Sequence, residues 1–180
     1  MWKLSATLVC FLMCAVAHLT FTNLKCQMID RQFGLFEKCL IKAVNRTHKY
    51  VDISTKIYKF PVDNVTLKLL PMRHDHGYRP FFVNLTFDVG GFFRNLQNEN
   101  GPKELILREL FQTVKAYTNI NHTCPYYHDV EISKLWTGNL EARFLRYLPM
   151  PQGDYSLSLN WYTSRVNRAT VKVYFRLTDR

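Results

Sequence analysis

The feature that most limits what this chain can become is a side-chain period of two, repeated along most of its length. Val51, Ile53, Thr55 and Ile57 alternate with Asp52, Ser54 and Lys56, and Val65, Leu67 and Leu69 alternate with Thr66 and Lys68. Phe81, Val83, Leu85 and Phe87 alternate with Asn84, Thr86 and Asp88. Near the end, Tyr155, Leu157, Leu159 and Trp161 alternate with Ser156, Ser158 and Asn160, and Val171, Val173, Phe175 and Leu177 with Lys172, Tyr174 and Arg176. Successive residues of a strand point to opposite faces, so each run is a strand with one face buried and one in water. Val130–Leu135 and Leu140–Leu148 are further candidates. Pro61, Pro71, the polar turn His74–Gly77 and Pro149–Asp154 punctuate the runs. About nine short strands with regular turns predict an all-β fold, an antiparallel sandwich.

One stretch breaks the period. Gly90-Gly91 ends a strand pattern, Asn95–Pro102 reads as a polar loop, and Pro102 suits a helix start. From Lys103 to Tyr117, Ile106, Leu107, Leu110, Phe111, Val114 and Tyr117 recur at helical spacing, opposite Lys103, Glu104, Arg108, Glu109, Gln112 and Lys115. This is one amphipathic helix inserted among strands. Its apolar face packs on a sheet, or lids a cavity, or meets a membrane surface.

Met1–Ala17 carries one Lys, an apolar run and the small-x-small ending Ala15-Val16-Ala17. That is the form of a secretory signal peptide, too short to span a bilayer. Residues 18–180 are then expected as a single extracellular domain without a transmembrane span. The formal charge of +10 falls to +9 once Lys3 leaves with the leader. The basic residues are scattered, and a secreted chain is not expected to meet nucleic acid. Four acceptor sequons, at Asn45, Asn64, Asn84 and Asn121, agree with export. Asn64 and Asn84 fall on the polar faces of strands, Asn45 and Asn121 in loops. Cys26, Cys39 and Cys124 remain in the mature chain. A turn over Asp30–Gly34 brings the first two side by side, so Cys26–Cys39 is the expected disulfide. Cys124 is left as a free thiol, buried or paired with another molecule.

The segment Tyr117–Asp129 concentrates chemistry: His122, Cys124, His128 and Asp129 stand close together, after a helix that Pro125 cannot continue. His122, Cys124 and His128 match no structural zinc spacing. His74-x-His76 is read as a polar turn. There is no Gly-x-Ser-x-Gly elbow and no Gly-rich phosphate loop. The expectation is no catalytic residue, no metal and no cofactor.

Several stretches together carry a resemblance. They are Cys26 with Phe36-Glu-Lys-Cys39-Leu-Ile-Lys-Ala-Val-Asn-Arg46; Gly77-Tyr-Arg-Pro-Phe81 running into Asn84-Leu-Thr-Phe-Asp88; Tyr117 to Tyr126; and Pro151-Gln-Gly-Asp-Tyr155 before Trp161. They resemble a dipteran insect family of small secreted proteins, similar to CheB-type chemosensory proteins and, more remotely, to ML lipid-recognition domains. The resemblance implies an immunoglobulin-like, ML-like sandwich with an apolar cavity between its sheets and no catalytic residues. Family members place a Cys shortly after the equivalent of Asp88 to pair with the later Cys. Here Gly90 stands in that place, which implies that Cys124 has lost its partner.

The inward register puts Leu67, Leu69, Phe81, Val83, Leu85, Phe87, Leu157, Leu159, Trp161, Val171, Val173 and Phe175 between the sheets, with Leu107, Phe111 and Val114 closing one end. At the usual sheet spacing of about 10 Å these side chains fill the interior. If the sheets splay, they line a pocket, with Arg79 or Lys115 near its mouth. Two functions follow as expectations. One is an extracellular carrier of a lipid or other small hydrophobic ligand, with the resemblance implying a role in chemosensation. The other is a ligand-free module that binds a receptor or ion-channel ectodomain.

Overall fold

The structure, a computed structural model, describes residues 18–95, 101–145, 148 and 150–179. The expected signal peptide lies outside the described residues. The strands are β1 (His18–Met28), β2 (Gly34–Ala43), β3 (Lys49–Ile57), β4 (Val65–His74), β5 (Tyr78–Pro80), β6 (Leu85–Asp88), β7 (Val130–Trp136), β8 (Gly153–Thr163) and β9 (Val166–Thr178). The helices are α1 (Val89–Asn95), α2 (Pro102–Val114) and α3 (Thr137–Asn139). A 3₁₀ turn, Lys115–Tyr117, follows α2, and a π-turn, Leu140–Phe144, follows α3.

The strands form two antiparallel sheets. The larger runs β1-β9-β8-β4-β5, with β6 also paired to β4; the smaller runs β2-β3-β7. They pack as a sandwich: Leu19 and Phe21 of β1, Tyr155 of β8 and Leu177 of β9 share one buried cluster with Val51 and Ile53 of β3. The period of two is what makes this possible, because every second residue of each strand reaches the partner sheet. The register aligns those rows: Leu67, Leu69 and Pro71 of β4 pair with Trp161, Leu159 and Leu157 of β8. Leu159 and Leu157 pair in turn with Val171 and Val173 of β9.

Four expectations are corrected. The Phe81–Phe87 run is not one strand. It breaks between β5 and β6, where Phe82 has φ +67 and turns the chain outward. Val83 is 57% exposed as a result and takes no part in the interior. The described part of the expected strand Leu140–Leu148 is a π-turn over Leu140–Phe144 instead. Its apolar residues Leu140 and Phe144 are four apart, on one helical face, and both join the inter-sheet cluster. The inserted helix is also not alone. β6 passes directly into α1, because the Asp88 carboxylate accepts the Gly91 N–H as an N-cap. A Cβ on Gly91 would come within 2.8 Å of that carboxylate, so the glycine leaves room for the cap; the strand pattern ends here as expected, and a helix begins.

The fourth correction concerns the disulfide. Cys26 and Cys39 are bonded, with Cα atoms 6.1 Å apart. Yet β1 belongs to the larger sheet and β2 to the smaller. The bond pins the two layers together rather than two strands of one ladder. Among the described residues no helix is long and apolar enough to cross a membrane.

Candidate functional site

The smaller sheet has three strands and the larger sheet six, so strands do not cover all of the larger sheet's inner face. Helices α1 and α2 take over against β4, β6 and β8. Leu69, Leu85 and Leu107 are buried there, with Phe87, Phe92, Ile106, Leu110, Leu157 and Leu159 packed around them. An aromatic chain runs over this layer. Phe87 meets Phe92 at 5.5 Å, and Phe111 of α2 meets Phe92 at 5.7 Å and Phe93 at 5.0 Å. The two helical pairs are edge-on, the favoured arrangement for aromatic quadrupoles.

A cleft of about 250 Å³ opens to solvent where β6, α1 and α2 meet. Leu85, Phe87, Phe92 and Leu107 give it apolar walls, and Thr86, Asp88 and Glu104 are polar groups along it. Asp88 also faces Arg94, 3.6 Å away. The expected cavity residues are thus divided. Leu69, Leu85, Leu157 and Leu159 lie under the helices and pack with Leu107 of α2, and Phe87 bridges this cluster to its neighbour. Leu67 and Trp161 pack with Val65 and Tyr126. Phe81, Val171, Val173 and Phe175 join the inter-sheet cluster, where Tyr155 stacks on Phe175 at 5.5 Å and meets Phe81 edge-on at 5.3 Å. Val114 is half-buried at the end of α2. Arg79 and Lys115 are exposed and do not border the cleft.

A second depression, of about 460 Å³, lies on the outer face of the larger sheet. The small side chains Ser158 and Thr170 form its centre, between Lys25, Leu70, Met72, Lys172 and Tyr174. Short residues in the middle of a twisted sheet leave a hollow that longer neighbours wall in.

The Tyr117–Asp129 corner is used structurally. Tyr126 is fully buried and donates its hydroxyl to the His122 carbonyl at 2.6 Å; burial pushes its phenol well above the ordinary range. Asp129 accepts the Ile57 N–H at 2.8 Å and the Lys56 ammonium at 2.8 Å, and these bonds hold its carboxyl below the ordinary range. Asn119 receives the Glu131 N–H at 2.9 Å and donates to the Asp129 carbonyl at 2.6 Å. His122 and His128 meet through their Nε2 atoms at 3.1 Å. Cys124 is a free, half-buried thiol packed near Val65 and Tyr126, and burial pushes its pKa up. A protonated, hemmed-in thiol is a poor nucleophile. His76 pairs with Asp75 at 2.8 Å, and His74 packs edge-on against Tyr78 at the β4–β5 hairpin.

All four sequon asparagines are exposed. Asn64 and Asn84 stand just before β4 and β6, outside the strands on which the sequence places them, and Asn64 has φ +48. Sequence reasoning passed over α1, whose Phe92 walls the cleft. The signal was Asp88 three residues before Gly91, an N-cap spacing hidden by the glycine pair.

The fold defines a two-layer antiparallel β protein in which helices complete the cover of the larger sheet. The chain belongs to the family described as "Protein of unknown function (DUF1091)", whose model matches residues 65–157, just over half of its length. The match runs from β4 into β8 and includes the cleft, the corner and the π-turn. β1, β2 and β3 lie before it and β9 after it, so both bonded cysteines fall outside. No curated protein matches the chain.

Proposed function

We propose that this chain is a secreted, immunoglobulin-like (ML-like) binding protein that takes a small hydrophobic ligand into the cleft between α1, α2 and the larger sheet. It acts without catalytic residues or a cofactor, in an extracellular role such as chemosensation. The observation that carries the reading is an apolar, partly aromatic wall left open to water where helices replace strands. The signal-peptide pattern, the disulfide and four exposed sequons support export. The cleft volume suits an odorant-sized molecule or the end of an acyl chain. A ligand that buries about 200 Å² of apolar surface gains about 5 kcal/mol. Before the cost of immobilising the ligand, that gain corresponds to a Kd of order 0.1–1 mM.

The test is displacement of a fluorescent fatty acid from protein purified after secretion. Uptake is expected, with Phe92→Ala and Phe111→Ala each weakening it about tenfold while the fold is kept. Folded protein that takes up no probe sinks this reading. It would favour the second, a module that docks a receptor or channel ectodomain through the outer depression. The buried cluster that Tyr155, Leu19 and Phe21 of the larger sheet share with Val51 and Ile53 of the smaller favours that alternative.

A further inference from the structure

We infer that His18, His48 and Glu141 form a binding site for a divalent transition metal. The three come from distant parts of the chain: the first residue of β1, the residue before β3, and the π-turn after α3. They share no residue with the cleft. One donor atom from each lies within 4.8 Å of the other two. The Glu141 side chain is 6% exposed, and those of His18 and His48 are 19% and 15% exposed. His18 Nδ1 stands 2.8 Å from Glu141 Oε1, and His48 Nε2 stands 3.9 Å from Oε2.

The hydrogen bonds decide which way His48 presents itself. Asn45 Oδ1 accepts the backbone N–H groups of Thr47 at 2.9 Å and His48 at 2.7 Å, so that atom is the amide oxygen. The Thr47 hydroxyl, 3.0 Å from the same oxygen, can donate to it. Its own oxygen is left to accept from His48 Nδ1, 2.8 Å away. In the tautomer with its proton on Nδ1, His48 turns the Nε2 lone pair toward the Glu141 carboxylate. This is the outer-shell arrangement that orients a metal-binding imidazole. Two facing lone pairs repel unless a cation lies between them.

Apart from a proton on one of the two histidines, no cationic side chain among the described residues pairs with Glu141. The ion pairs of Glu141 are with these two histidines, and its further bond is from the Leu19 N–H at 2.7 Å. The neighbouring Lys49 ammonium is taken by the Phe21 carbonyl at 2.8 Å. A buried carboxylate needs a partner of opposite charge. Metal bonds of about 2.0–2.2 Å in tetrahedral array place donor atoms about 3.3–3.5 Å apart. The observed 2.8 and 3.9 Å run to different oxygens of Glu141, and the three donor atoms lie within 4.8 Å of one another, so side-chain shifts of about 1–1.5 Å bring them to that spacing. Two imidazoles and a carboxylate suit Zn²⁺ and Cu²⁺, with Cu²⁺ the tighter. Cleavage after Ala17, the export site expected from the sequence, would free the His18 amino group. That group and its own Nδ1 would close a six-membered chelate ring and supply a fourth ligand.

The experiment titrates the secreted, processed protein with Cu²⁺ and Zn²⁺ by calorimetry, with Trp136 fluorescence as a local reporter; its ring is 5.1 Å from His48. One equivalent of metal per chain is expected, with Trp136 quenched by Cu²⁺. His48→Gln and Glu141→Gln should each weaken binding at least tenfold, and His122→Gln should leave it unchanged. Gln at 141 keeps an acceptor for the Leu19 N–H; if that variant still fails to fold, the more exposed His48→Gln carries the test. Absence of stoichiometric binding means that a proton alone bridges His18 and Glu141, and overturns the proposal. So does binding that survives both variants, or that is lost with His122→Gln.

Discussion

Removal of the Cys26–Cys39 bond tests how the two sheets are held together. The bond closes a loop with a sequence separation of 13 residues. Cross-linking such a loop withdraws chain entropy from the unfolded state worth about 3 kcal/mol at 25 °C. Both cysteines are half-buried, so replacing them by alanine leaves only a small packing loss beside that entropy. Cys26→Ala/Cys39→Ala is therefore expected to lose about 3 kcal/mol. For a chain of this length that is a fall in Tm of about 6–12 °C. Because the effect acts through the unfolded ensemble, the urea m-value should rise as the uncrosslinked chain expands. Urea titration of both proteins, each in a Cys124→Ala background to prevent thiol exchange, measures both quantities. A loss below about 1 kcal/mol with an unchanged m-value would refute the reasoning. It would mean that β1 and β2 stay associated in the unfolded chain without the bond.

Four further outcomes are expected. The buried Tyr126 phenol has a raised folded pKa, so its contribution to stability is complete below its ordinary pKa of about 10 and is lost as pH rises beyond it; Tyr126→Phe should flatten that alkaline slope in melts between pH 9 and 12. Asp129 has a lowered folded pKa, from the Ile57 N–H first and Lys56 second. Its contribution is present above the ordinary carboxylate value near 4 and lost as pH falls below it, so Asp129→Asn should show a shallower acid transition. Cys124 should react with iodoacetamide at least tenfold more slowly in the native protein than in urea, and equal rates would contradict its packing near Tyr126. Intact mass of protein from a secretory host should show glycans at Asn45 and Asn121, removed by Asn45→Gln and Asn121→Gln; an unmodified chain would exclude both sites.

The strand rows were legible because a period of two is a local property. Leu67 and Leu69, Leu157 to Trp161, and Val171 to Phe175 could be assigned to one buried face before any partner strand was known. The face of α2 was legible for the same reason, through Leu107 and Phe111. The failures are also local in origin. Alternation from Phe81 to Phe87 reads as an unbroken strand, because no residue type announces a positive φ at a phenylalanine. Leu140, Ala142 and Phe144 satisfy a strand pattern, while Leu140 and Phe144 satisfy a helical one, and only packing against β1 and β3 favours the helix.

By itself, then, the sequence determined the β class, the inward rows, the cysteine pair and the solvent-exposed acceptor asparagines. Each follows from neighbours two or four residues away, or from which residues remain to be paired. Only the tertiary structure decided that Cys26 and Cys39 join opposite sheets, that α1 and α2 complete the cover and leave a cleft, and that His18, His48 and Glu141 converge. Those depend on which strand lies beside which. Sheet order is set by the summed burial of distant rows, and a chain read residue by residue carries no local mark of it.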